Sequence, residues 1–331
     1  MRPTSDTRLQ RPDLGFAVYE TMQAAPTMGF IGLQVMPIFG VVEYSAEYPV
    51  IAKEALFNLL NDKRDSKGGY NRDEDEFESG FYKTWDRGLE KRIDDRFAAI
   101  YGTKFAYELT IANILMGNIL RAQEYRISNK IFNATNFTVH NAGTAWSTVA
   151  SADPKSDVET GKNTLRASGI AANCLILNWT AFGYCKLNAD VQEKIYQIFP
   201  DAAKDGRISI EHLRTYFDID KVLVAGALYN SASRGQDGTL SDIWGNRYAM
   251  LCRVAEGDVT EPCIGRTFKW NEGASQDVIV EEYYEDRVRG NVLRVRHDVE
   301  ETFLASYDED GTAKSEISKA CGYLIDTTAA S

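Results

Sequence analysis

Past Gly102 and Thr103, apolar residues fall at alternating spacings of four and three: Phe105, Leu109, Ala112, Met116 and Ile119. That rhythm is helical, and Thr103 supplies a cap. The stripe continues through Leu120, Ile127 and Ile131 and stops near Asn133. The spacing therefore predicts a helix over about 103–133, roughly 45 Å long at 1.5 Å per residue. Ile111, Ile114 and Leu115 widen the apolar surface, so the middle of this rod is covered on more than one side. Gly117 within it costs about 1 kcal/mol relative to alanine, which predicts a bend or a close backbone contact.

Around the rod the pattern changes from segment to segment. Met1 to about Gln34 mixes Pro, Thr, Arg and Gly with few periodic apolar positions and reads as an extended arm. Val35 to Leu60 is strand-like, punctuated by Pro37 and Pro49. Asn61 to Gly80 holds almost nothing to bury, and its run Asp73 to Glu76 is wholly acidic. So long a polar stretch within a compact chain is read as an excursion from the body. Further on, Asp153-Pro154 opens a helix over 155–167, Cys174 to Leu177 reads as a buried strand, and 191–198 and 208–216 read as helices. Lys221 to Leu228 and Tyr248 to Val254 are strand candidates. Val278 and Val280 lead into Arg287-Val288-Arg289, a Gly290-Asn291 turn and a return through Val295, which is a β-hairpin. Without a βαβ rhythm or an internal repeat, the class is α+β.

Chemistry is harder to find. No phosphate-binding loop, dinucleotide fingerprint, zinc-protease helix or nucleophile elbow is present, and the three histidines His140, His212 and His297 lie in separate segments. The segment from Asp201 resembles an EF-hand loop, but its third position is Ala203 and its twelfth His212, leaving too few oxygens for calcium. Asp308 to Gly311 lacks a closing glutamate too. The five cysteines Cys174, Cys185, Cys252, Cys263 and Cys321 show no paired spacing and read as buried reduced thiols. The Asn-x-Thr triplets at Asn133, Asn136 and Asn178 read as incidental. The expectation is no enzyme, no metal and no cofactor. A net charge of −11 disfavours a broad nucleic-acid footprint. Gly29 to Val42 is too short and too broken by Pro37 to span a membrane, and no signal peptide precedes it, so a soluble, unsecreted protein is expected. Arg287, Arg289, Arg294 and Arg296 sit two apart within the hairpin strands, opposite in sign to Asp73, Glu74, Asp75, Glu76 and Glu78, and complementary patches of that kind set register between subunits.

From about Gly29 to His297 the chain resembles the tailed-bacteriophage major capsid proteins, whose fold is shared with herpesvirus capsid floors and encapsulins. The resemblance rests on an ordered series: Trp146, Ser151-Ala152-Asp153-Pro154, Asp157-Val158, Gly169-Ile170, Asn173 and Leu175-Ile176-Leu177. It continues in Val222 to Ala227, Tyr229-Asn230, Ile243-Trp244-Gly245 and Thr267-Phe268-Lys269-Trp270, and upstream in Met36 to Val41, Tyr44 and Tyr48-Pro49.

The resemblance implies an N-terminal arm (1–38), an extended β-loop (39–92), a peripheral domain (93–170 and 265–331) with a spine helix at about 103–133, and an axial domain (171–264). It implies a subunit that assembles with copies of itself, as hexamers and pentamers, into an icosahedral shell around double-stranded DNA in the virion, built in the bacterial cytoplasm. The alternative is an encapsulin-like nanocompartment. A separate scaffolding protein, a portal and a decoration or cement protein are the expected partners, with DNA enclosed without sequence-specific binding and no membrane. Lys53, Lys63 and Lys67 lie in or near the loop, but nothing marks one as a cross-linking site.

Overall fold

The computed structural model describes residues 9–51, 77–102, 106–200, 207–233, 235–271, 278–304 and 321–330, with single positions at 59, 62–64, 68 and 70. In chain order, β1 (Leu9–Gln10) leads into α1 (Pro12–Ala24) and the single turn α2 (Gly32–Val35). Then come β2 (Ile38–Val41), β3 (Ser45–Ile51), β4 (Phe77–Lys83) and β5 (Trp85–Asp94), followed by α3 (Asp95–Gly102), α4 (Tyr107–Ile131) and β6 (Val139–Ala142). The second half runs α5 (Pro154–Ala167), β7 (Cys174–Asn178), α6 (Trp179–Leu187), α7 (Ala189–Ile198), α8 (Ile210–Phe217), β8 (Lys221–Ala225), β9 (Leu228–Asn230), β10 (Leu240–Asp242) and β11 (Tyr248–Cys252). It closes with β12 (Arg266–Trp270), β13 (Ile279–Glu285), β14 (Gly290–Thr302) and β15 (Gly322–Ala330). The class is α+β.

Two sheets carry the body. In the first, β14 is the shared strand. Asp298 pairs with both Asp86 and Trp270, so β5 lies along one edge of β14 while β13 and β12 follow one another along the other. Parallel β2 extends this sheet beyond β12, and β1 caps β13. The second sheet has the order β6, β15, β11, β7, β8. Cys174 to Asn178 are all buried, as expected of a central strand with both faces covered. One face packs on α5 to α8 through Val158, Leu165, Ile195 and Phe217; the other meets Trp244, Ile127 and Ile131.

The spine helix α4 joins these cores. Its first turns bury Ile111, Leu115 and Ile119 against Leu293 and Val295 of the first sheet, and its last turns reach the second. It starts at Tyr107, later than its spacing predicts, because α3 is a separate helix and Ala106, not Thr103, precedes the first turn without a side-chain cap. At 25 residues it is about 38 Å long. The contact expected at Gly117 is absent: a Cβ there would meet only the tip of Arg121, at 3.3 Å. The helices expected over 155–167, 191–198 and 208–216 are present as α5, α7 and α8, shifted by one or two residues at their starts, whereas α6 is a helix the sequence reading does not predict. Asp153, Asn178, Asn188 and Ser209 each accept a backbone N–H at the cap.

The extended-arm reading needs correcting. From Pro12 the segment is helical, with Pro at the first position and Asp13 in the first turn, and Leu14, Val18 and Met22 recur every four residues to pack on α4. The stripe is short and interleaved with Gly15, Thr21 and Gln23, so it does not stand out from composition.

Candidate assembly surfaces

The β3–β4 ribbon is antiparallel from Ser45↔Lys83 to Ile51↔Phe77. Its root is packed: the Tyr82 ring stacks on Phe268 at 4.4 Å, with Tyr48 at 5.8 Å from the same ring. Gly80 sits opposite Tyr48, where a Cβ would lie 2.3 Å from the ring, so only glycine lets the tyrosine fold across its partner strand. Thr84 donates from its N–H (2.8 Å) and hydroxyl (3.2 Å) to the Tyr44 carbonyl, and Trp270 Nε1 donates to Val42 at 3.0 Å. The ribbon is thus fixed at its base, while Phe81 and Trp85 stay exposed.

The segment before it is also fastened. The Arg11 guanidinium lies among Asp13, Glu108 and Glu282. Gly29, at φ +83°, accepts from Gly226 N–H at 3.1 Å; a Cβ on it would lie 2.8 Å from the Gly226 backbone. Ile31 and Gly32 N–H donate to the buried Glu124 carboxylate at 2.9 and 2.8 Å, and Trp244 Nε1 donates to it at 2.6 Å. Burial pushes the Glu124 pKa up, and these three donors partly offset it. One carboxylate therefore ties the N-terminal segment, the spine helix and the Trp244 loop together.

The predicted hairpin exists, but its turn is Asp286 to Arg289, with Arg289 at φ +49°. Gly290 and Asn291 already belong to β14. Gly290 is needed there because a Cβ would lie 2.3 Å from the Ile93 carbonyl of β5. The four arginines consequently do not form one row. Arg287 and Arg289 are exposed at the turn. Arg294 pairs with Glu90 and Glu281, and Arg296 with Glu281 at 3.1 Å, so both are engaged within the chain. Asp73, Glu74, Asp75 and Glu76 lie outside the described residues; Glu78 is in β4, with its side chain outside them.

A second buried carboxylate clamps the far end of the spine helix. Arg126 makes a bidentate pair with Glu301 (2.9 and 2.7 Å), Lys130 donates to the Glu301 carbonyl, and Arg87 holds Glu300 at 2.8 Å. Burial would raise the Glu301 pKa, but Arg126, Arg87 and Lys130 outweigh it and hold it below the usual carboxylate range. His297 is buried beside this cluster, and its Nε2 has no hydrogen-bond partner among the described residues. Burial, then Arg126 and Lys269, push its pKa down to about 3.

Among the described residues no catalytic constellation emerges. All five cysteines are buried and free of disulfides, and burial pushes the Cys185 thiol up to about 12, the opposite of a reactive thiolate. His140 stacks on Tyr323 at 4.0 Å, and His212 closes a capping box with Ser209. Among the described residues, no group of three His, Cys, Asp or Glu could hold a metal. The EF-hand-like stretch Asp201 to Gly206 and the Asp308 to Gly311 run lie outside the described residues. Asn178 is buried, and its side chain caps α6 and reaches the Trp244 carbonyl, so it is no glycan acceptor in the folded chain. No helix among the described residues is long and apolar enough to cross a membrane.

No protein-family profile and no curated protein matches the chain. Solved structures do. A phage-related protein from Bordetella bronchiseptica RB50 is 19% identical with a TM-score of 0.67, over 97% of this chain and 98% of that one. The virus-like particle from Pyrococcus furiosus is 11% identical with a TM-score of 0.52, over 95% and 98%. The capsid of a native GTA particle is 12% identical with a TM-score of 0.51, over 91% of each chain. The chain thus has the capsid-protein fold that its sequence motifs resemble, with nearly the whole length of each chain aligned. Identities this low carry the fold alone.

Proposed function

We propose that this chain is the major capsid protein of a tailed bacteriophage, which assembles with copies of itself, as hexamers and pentamers, into the icosahedral shell enclosing the double-stranded DNA genome. The observation that carries the proposal is the end-to-end structural match to a phage-related protein and to a particle capsid, with little of any chain left over for another activity. The rooted β3–β4 ribbon supports it: a stiff base with a charged extension is suited to reaching a neighbour. The same reading divides the chain into arm, extended β-loop, peripheral domain and axial domain, with β6 and β15 running from the peripheral span into the second sheet. It places the protein in the virion after assembly in the host cytoplasm, with a separate scaffolding protein, a portal and a decoration protein as partners. It assigns no catalysis. Arg287 and Arg289 remain candidates for contact with the acidic run of a neighbour, whereas Arg294 and Arg296 serve the fold. A net charge of −11 suits a wall around packed DNA that should not grip it.

The match to a virus-like particle keeps an encapsulin-like compartment as the second reading. Electron microscopy of the purified protein tests both. Closed shells or capsomers are expected, with DNA inside particles from an infected cell; protein cargo without DNA favours the compartment, and a monodisperse monomer at high concentration contradicts both. Deleting Asn61 to Gly80 should impair shell completion, and a deletion that assembles normally contradicts the role given to the loop.

A further inference from the structure

Four of the five cysteines, far apart in the sequence, converge at one place in the second sheet. Cys174 opens β7 and Cys252 closes β11, and the two stand directly opposite one another. They are the end pair of the three that join these strands, the others being Leu175↔Leu251 and Ile176↔Met250. Cys321 and Cys263 lie close enough to Cys252 to act on its charge, and Cys174, Cys252 and Cys321 share one buried apolar cluster. Asn173 holds the register just past the pair. Its N–H donates to the Cys252 carbonyl at 3.1 Å, and its side chain donates to the Val254 carbonyl (2.9 Å) and accepts from the Val254 N–H (2.8 Å). Directly opposite residues on antiparallel strands have Cα atoms about 4.5–5.5 Å apart, within the span of about 4.4–6.8 Å that a disulfide requires. The Cys252 thiol also hydrogen-bonds to Cys174, so the two sulfurs face each other.

We propose that Cys174 and Cys252 are a modification site, a thiol pair that a small hydroperoxide converts into a disulfide across β7 and β11. One thiol attacks a peroxide oxygen; the O–O bond breaks, the sulfur becomes a sulfenic acid, and a water leaves carrying the thiol proton. The second thiol attacks that sulfur, the S–S bond forms as the S–O bond breaks, and a second water leaves, so two electrons pass from the thiols to the peroxide. Both side chains are fully buried, which favours so small an oxidant over a bulky disulfide. While the ladder is closed the pair is inert, because the Cys174 contact and burial hold the Cys252 thiol well above its ordinary pKa and the thiolate is the reactive form. Oxidation therefore runs through local opening of the ladder end, and on closing Asn173 returns the sulfurs to each other. The new bond closes a loop that holds α6, α7, α8, β8, β9 and β10, and so fastens them to β11. Cys321 is the competing partner, but the residue opposite Cys252 on β15 is Gly322. A shared metal is not the alternative: among the described residues no group of three such side chains could hold one.

The test is peptide mapping of the purified full chain without reduction. Protein incubated with hydrogen peroxide just below its thermal midpoint is unfolded in excess maleimide and digested. The expected product is a Cys174 peptide joined to a Cys252 peptide, lighter by two hydrogens than their sum and separated by dithiothreitol. The thermal midpoint of the oxidised protein should rise by several degrees and fall back on reduction, as closure of a long loop predicts. Cys174→Ala and Cys252→Ala should each abolish this joined peptide and the rise, whereas Cys185→Ala, in the core on the other face of the sheet, should keep both. The mapping itself needs no variant, so a variant that fails to fold leaves its result standing. Peroxide that leaves both thiols open to maleimide, takes either one to a sulfinic acid without a link, or joins Cys252 to Cys321 overturns the assignment.

Discussion

His297 makes stability depend on pH in a window that few other groups share. Its folded-state pKa is about 3 against an ordinary value of 6.5, because the ring is buried and Arg126, Lys269 and Arg87 disfavour its charged form, with Glu301 opposing them. A base whose pKa is depressed by folding takes up its proton in the unfolded chain first. Stability is therefore complete above pH 6.5 and is lost as pH falls towards 3. The loss is about 1.4 kcal/mol per pH unit, or about 2 kcal/mol by pH 5. At 6% exposure, solvent screens little of it. With a urea slope of about 3 kcal/mol/M, the unfolding midpoint should drop by about 0.7 M between pH 7.5 and pH 5. His297→Gln has no proton to gain and should lose that slope, whatever it costs in packing at neutral pH. The measurement is the difference between the two urea midpoints across this range, which cancels the contribution of His140, present in both proteins. Parallel midpoints from pH 7.5 to pH 5 would refute the reasoning. Below that range Glu301 acts in the same direction: its pKa is lowered, so its stabilisation is present above the unfolded carboxylate pKa and is lost as acid protonates it.

Two substitutions test the anchoring of the appendages. Tyr82→Ala removes the ring stacked on Phe268 and should cost about 3 kcal/mol, with faster protease cleavage within the β3–β4 ribbon as the readout, whereas Tyr82→Phe should behave as wild type apart from the Glu43 hydrogen bond. Gly29→Ala must hold φ near +83° and push a methyl to 2.8 Å from the Gly226 backbone, so a loss of about 2 kcal/mol and a fall of several degrees in thermal midpoint are expected by calorimetry; an unchanged midpoint would mean that the segment is not held there.

The parts legible in the sequence are those with local causes. Asp153-Pro154 marks the start of α5 because proline suits the first turn and the aspartate side chain caps it, and both facts lie within four residues. The body of α4 is legible because apolar positions recur along it. The Asp95 start and Gly102 end of α3 are also in the sequence, but its apolar residues face outward, so they carry no message about the core. Long-range causes are not legible. Gly290 looks like a turn glycine beside an asparagine, yet it serves the approach of β5, almost two hundred positions earlier. Arg11 finds Glu282 at a separation of 271 residues, which no spacing rule anticipates. For the same reason alternation could not separate the arginines that serve the fold from those left exposed: Arg294 is taken by Glu90 across 204 positions.

Glu124 and Glu301 raise a question of purpose that stability alone does not answer. Burying a carboxylate costs several kcal/mol, and well-packed apolar residues often serve a core as well or better, so a clamp of this kind is weak support for stability. What the two clamps add is direction. Apolar packing lets a helix slide and roll by fractions of an ångström at little cost, whereas a bidentate Arg126–Glu301 pair and three convergent donors on Glu124 each accept one geometry. One fixes the end of α4 on β14; the other fixes α4 to the N-terminal segment and the Trp244 loop. Together they set the angle between the first sheet, which adjoins the ribbon root and α3, and the second sheet. In a monomer that angle would matter little. Where the same subunit must repeat around closed symmetry, a small error in it is multiplied at every contact, and geometric definition of this sort can be worth its cost in desolvation.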